Sequence, residues 1–304
     1  MKVWIPHPEG LDLIDPPLPA DVDIEVFAGD GPPPSDPATV EVWVPPFLAS
    51  AEVAGAMADM SSLRLIQLLT AGAEVWLDKV PEGVVLCDGR GIHTSSTAEW
   101  VMTAVLAYVR SFPRFVRAQA AGVWDYARTD ELAGKRVLIV GAGDIGDAVA
   151  DRLAPFEVSV TRVARRPRPG VYGIAELPTL LPDADVVVLL VPLTEDTRGM
   201  VDEGFLDRIR DGALLVNAAR GPVVDTVALT ATLHTGRIGA ALDVTDPEPL
   251  PVGHPLWEMP NVLLTPHVGG SVAGMLPRAY RLAGVQLRRF HNGEPLQNVV
   301  MDGY

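Results

Sequence analysis

Apolar residues along this chain cluster in short, dense runs separated by polar, glycine-rich and proline-rich stretches. EVWVP (41–45), LRLIQLL (63–69), VVLC (84–87), RVLIV (136–140), VSVTRV (158–163), VVVLLV (186–191), ALLVNAA (213–219), GAALDV (239–244) and VLLTP (262–266) predict strands. Most are apolar at consecutive rather than alternate positions, as parallel strands covered on both faces must be. Helical stretches lie between them, so the pattern predicts an α/β fold of doubly wound parallel sheets. Before residue 40, the run VDIEVF (22–27) reads as a strand, and the nine prolines between Pro6 and Pro37 read as connections. One longer helix is predicted after Thr97 as N-cap, from Ala98 through Tyr108 toward Arg117. Trp100, Val101, Ala104, Val105, Tyr108 and Val109 share its apolar face, and Arg110, Arg114 and Arg117 form a solvated stripe.

Composition narrows the classes. A chain of 304 residues, 48% hydrophobic, is sized for two domains with real cores. Its 39 acidic against 24 basic residues give a net charge of −15, which repels nucleic acid and anionic lipid. An anionic ligand must therefore meet a local cation. The single cysteine, Cys87, allows no internal disulfide, and His7, His93, His234, His254 and His291 lack paired metal-ligand spacing, so no metal is expected. The longest run without Asp, Glu, Lys or Arg, 259–277, is interrupted by Pro260, Pro266, Pro277, Gly269, Gly270 and Gly274, which argues against a spanning helix. MKVWIPHPEG at the start lacks the layout of a secretory signal. The expectation is a soluble, cytoplasmic protein without membrane or nucleic-acid partners.

The strongest local motif is KRVLIVGAGDIGDAVADRLA (135–154), in which a buried strand leads through Gly141, Gly143, Asp144, Ile145 and Gly146 into a helix. Gly141 permits the tight turn, Gly143 the approach of a pyrophosphate, and Gly146 close helix–strand packing, while the helix N-terminus offers amides and partial positive charge. In this strand–turn–helix setting the motif predicts dinucleotide binding. The following strand lacks the acid that usually holds an NAD ribose. Instead Arg162, Arg165, Arg166 and Arg168 fall within seven positions. Guanidinium groups suit a 2′-phosphate, so NADP is expected over NAD, with NAD left possible.

Three further segments, LLVNAARGPVVD (214–225), ALDVTDPEPLP (241–251) and NVLLTPHVGGS (261–271), each place a polar group just past an apolar strand: Arg220, Glu248 and His267. Ligands of open α/β sheets bind at that edge. With these motifs, and with VPLTEDTRGMVDEGFLDRIRDGALLVNAARGPVVD (191–225), the chain resembles the D-isomer-specific 2-hydroxyacid dehydrogenase family, most sharply over 136–270. The resemblance implies two Rossmann-like domains: a discontinuous substrate domain (1–98 plus 269–304) and an inserted dinucleotide domain (99–268). It also implies a homodimer formed through the latter.

The implied activity is hydride transfer between NADPH and a small 2-keto or D-2-hydroxy acid such as glyoxylate or hydroxypyruvate. The catalytic set carried over is Arg220 to hold and polarise the keto acid, His267 as acid and base, and Glu248 as its carboxylate neighbour. Val191, Pro192, Thr197, Ala218, Asp243 and His267 match cofactor-lining positions. Thr70, Ala71, Gly72 and Ala73 match a loop whose amides cradle the substrate carboxylate, and Arg220 also counts among the substrate contacts. Trp43 to Phe47 are candidates for a pocket wall, with core packing favoured for Trp43, and His93 is a second candidate for substrate contact. Two alternatives stay open: an NAD(P)-sensing binding protein of the same fold, and a formate- or phosphite-type dehydrogenase. Against formate chemistry, the first third of the chain contains no Asn to bind such a substrate.

Overall fold

The computed structural model describes residues 1–47 and 51–301. The chain divides into two compact units, Met1–His93 with Val272–Tyr304, and Thr94–Ser271. In chain order the first unit contains β1 (Lys2–Ile5), α1 (Gly10–Leu13), β2 (Asp23–Val26), β3 (Val42–Trp43), α2 (Ala51–Gly55), β4 (Leu65–Gln67) and β5 (Val85–Cys87). The second unit follows with α3 (Thr94–Val109), α4 (Phe112–Ala120), β6 (Arg136–Val140), α5 (Asp144–Leu153), β7 (Ser159–Ala164), β8 (Tyr172–Gly173) and α6 (Leu177–Leu180). It continues with β9 (Val186–Leu189), α7 (Glu203–Arg208), β10 (Leu214–Asn217), α8 (Thr226–His234), β11 (Gly239–Leu242) and β12 (Val262–Leu264). The chain then returns to the first unit with α9 (Met275–His291).

Each unit is built on one parallel sheet, in the orders β2-β1-β3-β4-β5 and β12-β11-β10-β9-β6-β7-β8. The central strands β6, β9, β10 and β11 are buried along nearly their whole length, which is why their sequences lack alternation. In the first unit Trp43 is fully buried, edge-on to Trp76 with ring centroids 5.6 Å apart. It is a core residue and not a pocket wall. Cys87 is also buried, and desolvation, helped by the neighbouring Asp88 charge, pushes its thiol up to about 12. That makes it inert core.

Thr97 is not the cap of α3, because the helix starts at Thr94 and buries Ser96, Thr97 and Ala98 within its first turns. Nor does the helix run on to Arg117. Ser111 takes a left-handed conformation (φ 53°), and Pro113 opens the separate helix α4. Arg110 therefore falls on the junction and Arg114 and Arg117 on α4, where Arg114 grips Asp125 through two bonds of 2.6 and 2.7 Å. Strands β1 and β8 were not anticipated. KVWI is a four-residue run enclosed by Met1 and Pro6, and β8 has two residues, so neither shows a period.

Among the described residues no helix is long and apolar enough to cross a membrane. None of their His, Cys, Asp and Glu side chains gather in threes where a metal ion could be held.

Candidate active site

In the second unit β6 is flanked by β7 on one side and β9 on the other, the point where strand order reverses, and ligands of open α/β sheets bind beyond the carboxyl ends at such a point. Gly141 turns the chain there with φ 117°, and a Cβ on it would lie 2.5 Å from the Leu190 carbonyl. A Cβ on Gly146 would lie 2.1 Å from the Gly141 oxygen. The protein's own packing thus demands both glycines. Gly143 differs: its added Cβ would meet nothing within 4 Å, and it caps α5 without a side-chain hydrogen bond. A bare, roomy helix N-terminus fits a dinucleotide pyrophosphate. Asp144 is exposed in the first turn, where its charge complements the helix dipole, and Ile145 packs against the core on the α3 side.

The arginines divide. Arg162 is tied to Asp147 of α5 at 2.8 Å. Arg165 and Arg166 are exposed in the turn after β7, the strand beside the glycine loop. Arg168, the last of the four clustered arginines, donates to the Ala142 carbonyl inside that loop.

After β9, Val191 and Pro192 enter a turn closed by the Thr197 hydroxyl, which donates to the Pro192 carbonyl at 2.6 Å and accepts from the Thr194 amide at 2.8 Å. After β10, buried Asn217 accepts from the Ala219 amide at 3.0 Å and donates to the Arg220 carbonyl at 3.1 Å, shaping the turn that carries Ala218 and Arg220. The Arg220 guanidinium donates to the Ala219 carbonyl at 2.7 Å. Gly221 presses against the loop after β11, where a Cβ would lie 1.9 Å from the Thr245 oxygen.

Beyond β11, the buried Asp243 carboxylate accepts from the Thr265 hydroxyl at 2.6 Å and from the amides of Val268 and Gly269 at 2.9 and 2.7 Å. Its carbonyl also accepts from the His267 amide at 2.7 Å. Trp100 of α3 holds the Thr265 hydroxyl from behind at 3.0 Å. These bonds pin the segment on which His267 sits with φ 53°. The imidazole Nδ1 lies 2.7 Å from the Glu248 Oε1, both side chains part-exposed. An ionised carboxylate only accepts, so Nδ1 carries a proton and Nε2 is the atom left to exchange one. Because β10, β11 and β12 are neighbours, Arg220, Glu248 and His267 come from three adjacent loops on one edge.

In the first unit, Leu69–Ala73 follows β4. The Thr70 hydroxyl donates to the Gly72 carbonyl at 2.9 Å. His93 contacts the Leu69 carbonyl at 3.2 Å and packs against half-buried Phe47, ring centroids 5.6 Å apart. Asn217, Thr265 and Trp100 were not expected to shape the site, although Asn217 precedes Arg220 by three residues and Thr265 precedes His267 by two.

Residues 102–269 match the family model for "D-isomer specific 2-hydroxyacid dehydrogenase, NAD binding domain". Glyoxylate reductase of Thermofilum pendens is 36% identical over 225 residues, covering 70% of this chain and 66% of that protein. The chloroplastic/mitochondrial formate dehydrogenase of Arabidopsis thaliana is 33% identical over 236 residues, covering 73% and 62%. The chain thus spans about two thirds of the length of these relatives. Among solved structures, a D-isomer specific 2-hydroxyacid dehydrogenase from Xanthobacter autotrophicus Py2, in complex with NADPH and MES, superposes with a TM-score of 0.82 at 34% identity, over 99% of both chains.

Proposed function

The chain belongs to the D-isomer specific 2-hydroxyacid dehydrogenase family, and from that premise we propose that it reduces small 2-keto acids, glyoxylate or hydroxypyruvate, with NADPH. The observation that carries the reading is the His267–Glu248 pair at 2.7 Å, one loop away from Arg220. Bound NADPH supplies the hydride. Everything else falls to side chains and amides of this chain.

Arg220 brings a planar, permanently charged fork that pairs with the keto acid's oxygens and polarises its carbonyl. His267 gives the proton from Nε2 to the oxygen that becomes hydroxyl, and takes it back in the reverse direction. Glu248 holds the ring in the tautomer and orientation this requires and stabilises the imidazolium. Asp243 keeps the His267 segment in place and is also assigned to the nicotinamide carboxamide. In the first unit, the amides of Thr70, Ala71, Gly72 and Ala73 are assigned to the substrate carboxylate. Gly141, Gly143, Asp144, Ile145 and Gly146 receive the pyrophosphate, and Val191, Pro192, Thr197 and Ala218 line the cofactor. Arg165 and Arg166, together with Arg162, are assigned to the 2′-phosphate.

The test is oxidation of NADPH, and of NADH, across a panel of 2-keto acids. Turnover of glyoxylate or hydroxypyruvate at lower KM for NADPH is expected, and loss of all keto-acid turnover overturns the reading. The similarity to a formate dehydrogenase favours one competing outcome, reduction of NAD(P)+ by formate, which is read as formation of NAD(P)H when formate and NAD(P)+ replace the keto acid and the reduced cofactor.

Assembly as a homodimer through the second unit belongs to this reading. It is supported by an apolar stretch in and after α4 in which Phe112, Val116 and Val123 are exposed, Trp124 by 95% and Tyr126 by 83%. So much aromatic surface in one short stretch supports an interface there. Sedimentation is expected to give twice the 32.4 kDa chain mass, falling toward one chain in Trp124→Ala/Tyr126→Ala.

A further inference from the structure

The segment after β5 doubles back over the end of β4 and holds the Leu69–Ala73 loop by its carbonyls. Gly89 donates its amide to the Thr70 carbonyl at 2.6 Å. The contact is so close that a Cβ on Gly89 would stand 2.9 Å from Leu69 C and Thr70 N. At the far end of the segment, Arg278 of α9 donates from Nε to the Ile92 carbonyl at 2.8 Å. Next to it His93 reaches the Leu69 carbonyl through Nε2 at 3.2 Å, its ring seated on Phe47. A carbonyl only accepts, so Nε2 is the protonated nitrogen.

These bonds also aim amides. A peptide is planar and trans, so fixing the carbonyl of one residue fixes the direction of the next residue's N–H, which points the opposite way. His93, by holding the Leu69 carbonyl, orients the Thr70 amide. Gly89 in the same way orients that of Ala71, and the Thr70 hydroxyl, on the Gly72 carbonyl, orients that of Ala73. Resting on the reading of this loop as the carboxylate cradle, we propose that His93 is a positioning residue for substrate binding, setting the cradle's amides through its bond to the Leu69 carbonyl. Donors fixed in advance bind an anion without an ordering cost, so the effect falls on substrate affinity rather than on the chemical step.

The experiment compares wild type, His93→Leu and His93→Gln. Leucine fills the place beside Phe47 without a donor, and glutamine restores an N–H at similar reach. His93→Leu is expected to raise KM for glyoxylate and hydroxypyruvate about tenfold, with kcat and KM for NADPH within about twofold of wild type. His93→Gln is expected to recover KM to within about threefold. Calorimetric titration of the NADPH-loaded protein with oxamate, an unreactive carboxylate, reads the same affinity without turnover. Unchanged KM and oxamate affinity in His93→Leu overturn the proposal. So does a His93→Leu variant impaired equally toward NADPH and not rescued by glutamine, since that is general damage. A wild type that binds oxamate more tightly than His93→Leu but turns over no keto acid overturns the proposed function and leaves the positioning role standing. A wild type that binds no carboxylate overturns both.

Discussion

At the β10–β12 end of the second unit's sheet, the polar groups hold one another. Asp243 takes three donors, Asn217 bonds on both sides of its amide, and His267 is clamped to Glu248 while its own amide is bound by Asp243. At the β6–β7 end of the same edge, Gly143 faces open space, α5 has no side-chain cap, and Arg165 and Arg166 stand exposed. The contrast follows from what each end is assigned to do. A proton is delivered to one atom, so its donor has to be placed within a fraction of an ångström. A large polyanion is held by many donors at once, and a surface that receives it keeps them open to solvent.

Removing the proton donor is the heaviest blow to the first end. His267→Gln is expected to lower kcat for keto-acid reduction by about a factor of 1,000, within the range for general acids. Cofactor binding, followed by NADPH fluorescence, is expected to weaken far less than kcat falls, because His267 is one of many cofactor-lining positions and the glycine loop is untouched. Turnover left intact would remove His267 as the donor.

The glycines test the second end. Gly146→Ala forces a Cβ to within 2.1 Å of a backbone oxygen and is expected to cost about 3 kcal/mol of stability, read as a lowered melting temperature. Gly143→Ala meets nothing in the protein and is expected to melt like wild type while binding NADPH at least about tenfold more weakly. Equal melting losses in the two variants would show that Gly143 serves the fold and not a ligand.

How much of this could be read beforehand varies with the distance over which the cause acts. β6 and β9 were legible because burial on both faces writes itself as consecutive apolar residues. The start of α3 was not, since Thr97 reads as a cap but is a small polar residue tucked into a packed helix. Candidate residues that follow a strand end, such as Arg220 and His267, were visible by position in their own segment. The web behind them was not. The donors to the Asp243 carboxylate come from 22, 25 and 26 residues further on, and the bond from Trp100 to Thr265 spans 165. Arg168 reads as one of four similar charges, and only the turn between β7 and β8 brings it back to Ala142.

Asp243 measures how far the rigidity of the first end matters. In Asp243→Asn one of two accepting oxygens becomes an NH2 that faces a donor, so at least one bond turns into a repulsion. A stability loss of about 2 kcal/mol is expected, with kcat down about 30-fold as the His267 segment shifts. If kcat holds while stability falls, the web serves folding alone and the contrast between the two ends loses its functional meaning.

The smallest effects separate the arginines. Arg165 and Arg166 are exposed and lie outside any helix or strand, so Arg165→Ala/Arg166→Ala is expected to raise KM for NADPH about tenfold and to leave KM for NADH unchanged. Arg162 already pairs with Asp147 at 2.8 Å, both side chains in contact with solvent. Such a pair is worth about 0–1 kcal/mol, and its guanidinium is turned toward α5. Arg162→Ala is therefore expected to change KM for NADPH by about threefold or less and to shift melting only slightly. Should Arg162→Ala prove the more damaging variant, the cation that discriminates NADPH is the one paired with Asp147, and the second end is organised in advance much as the first one is.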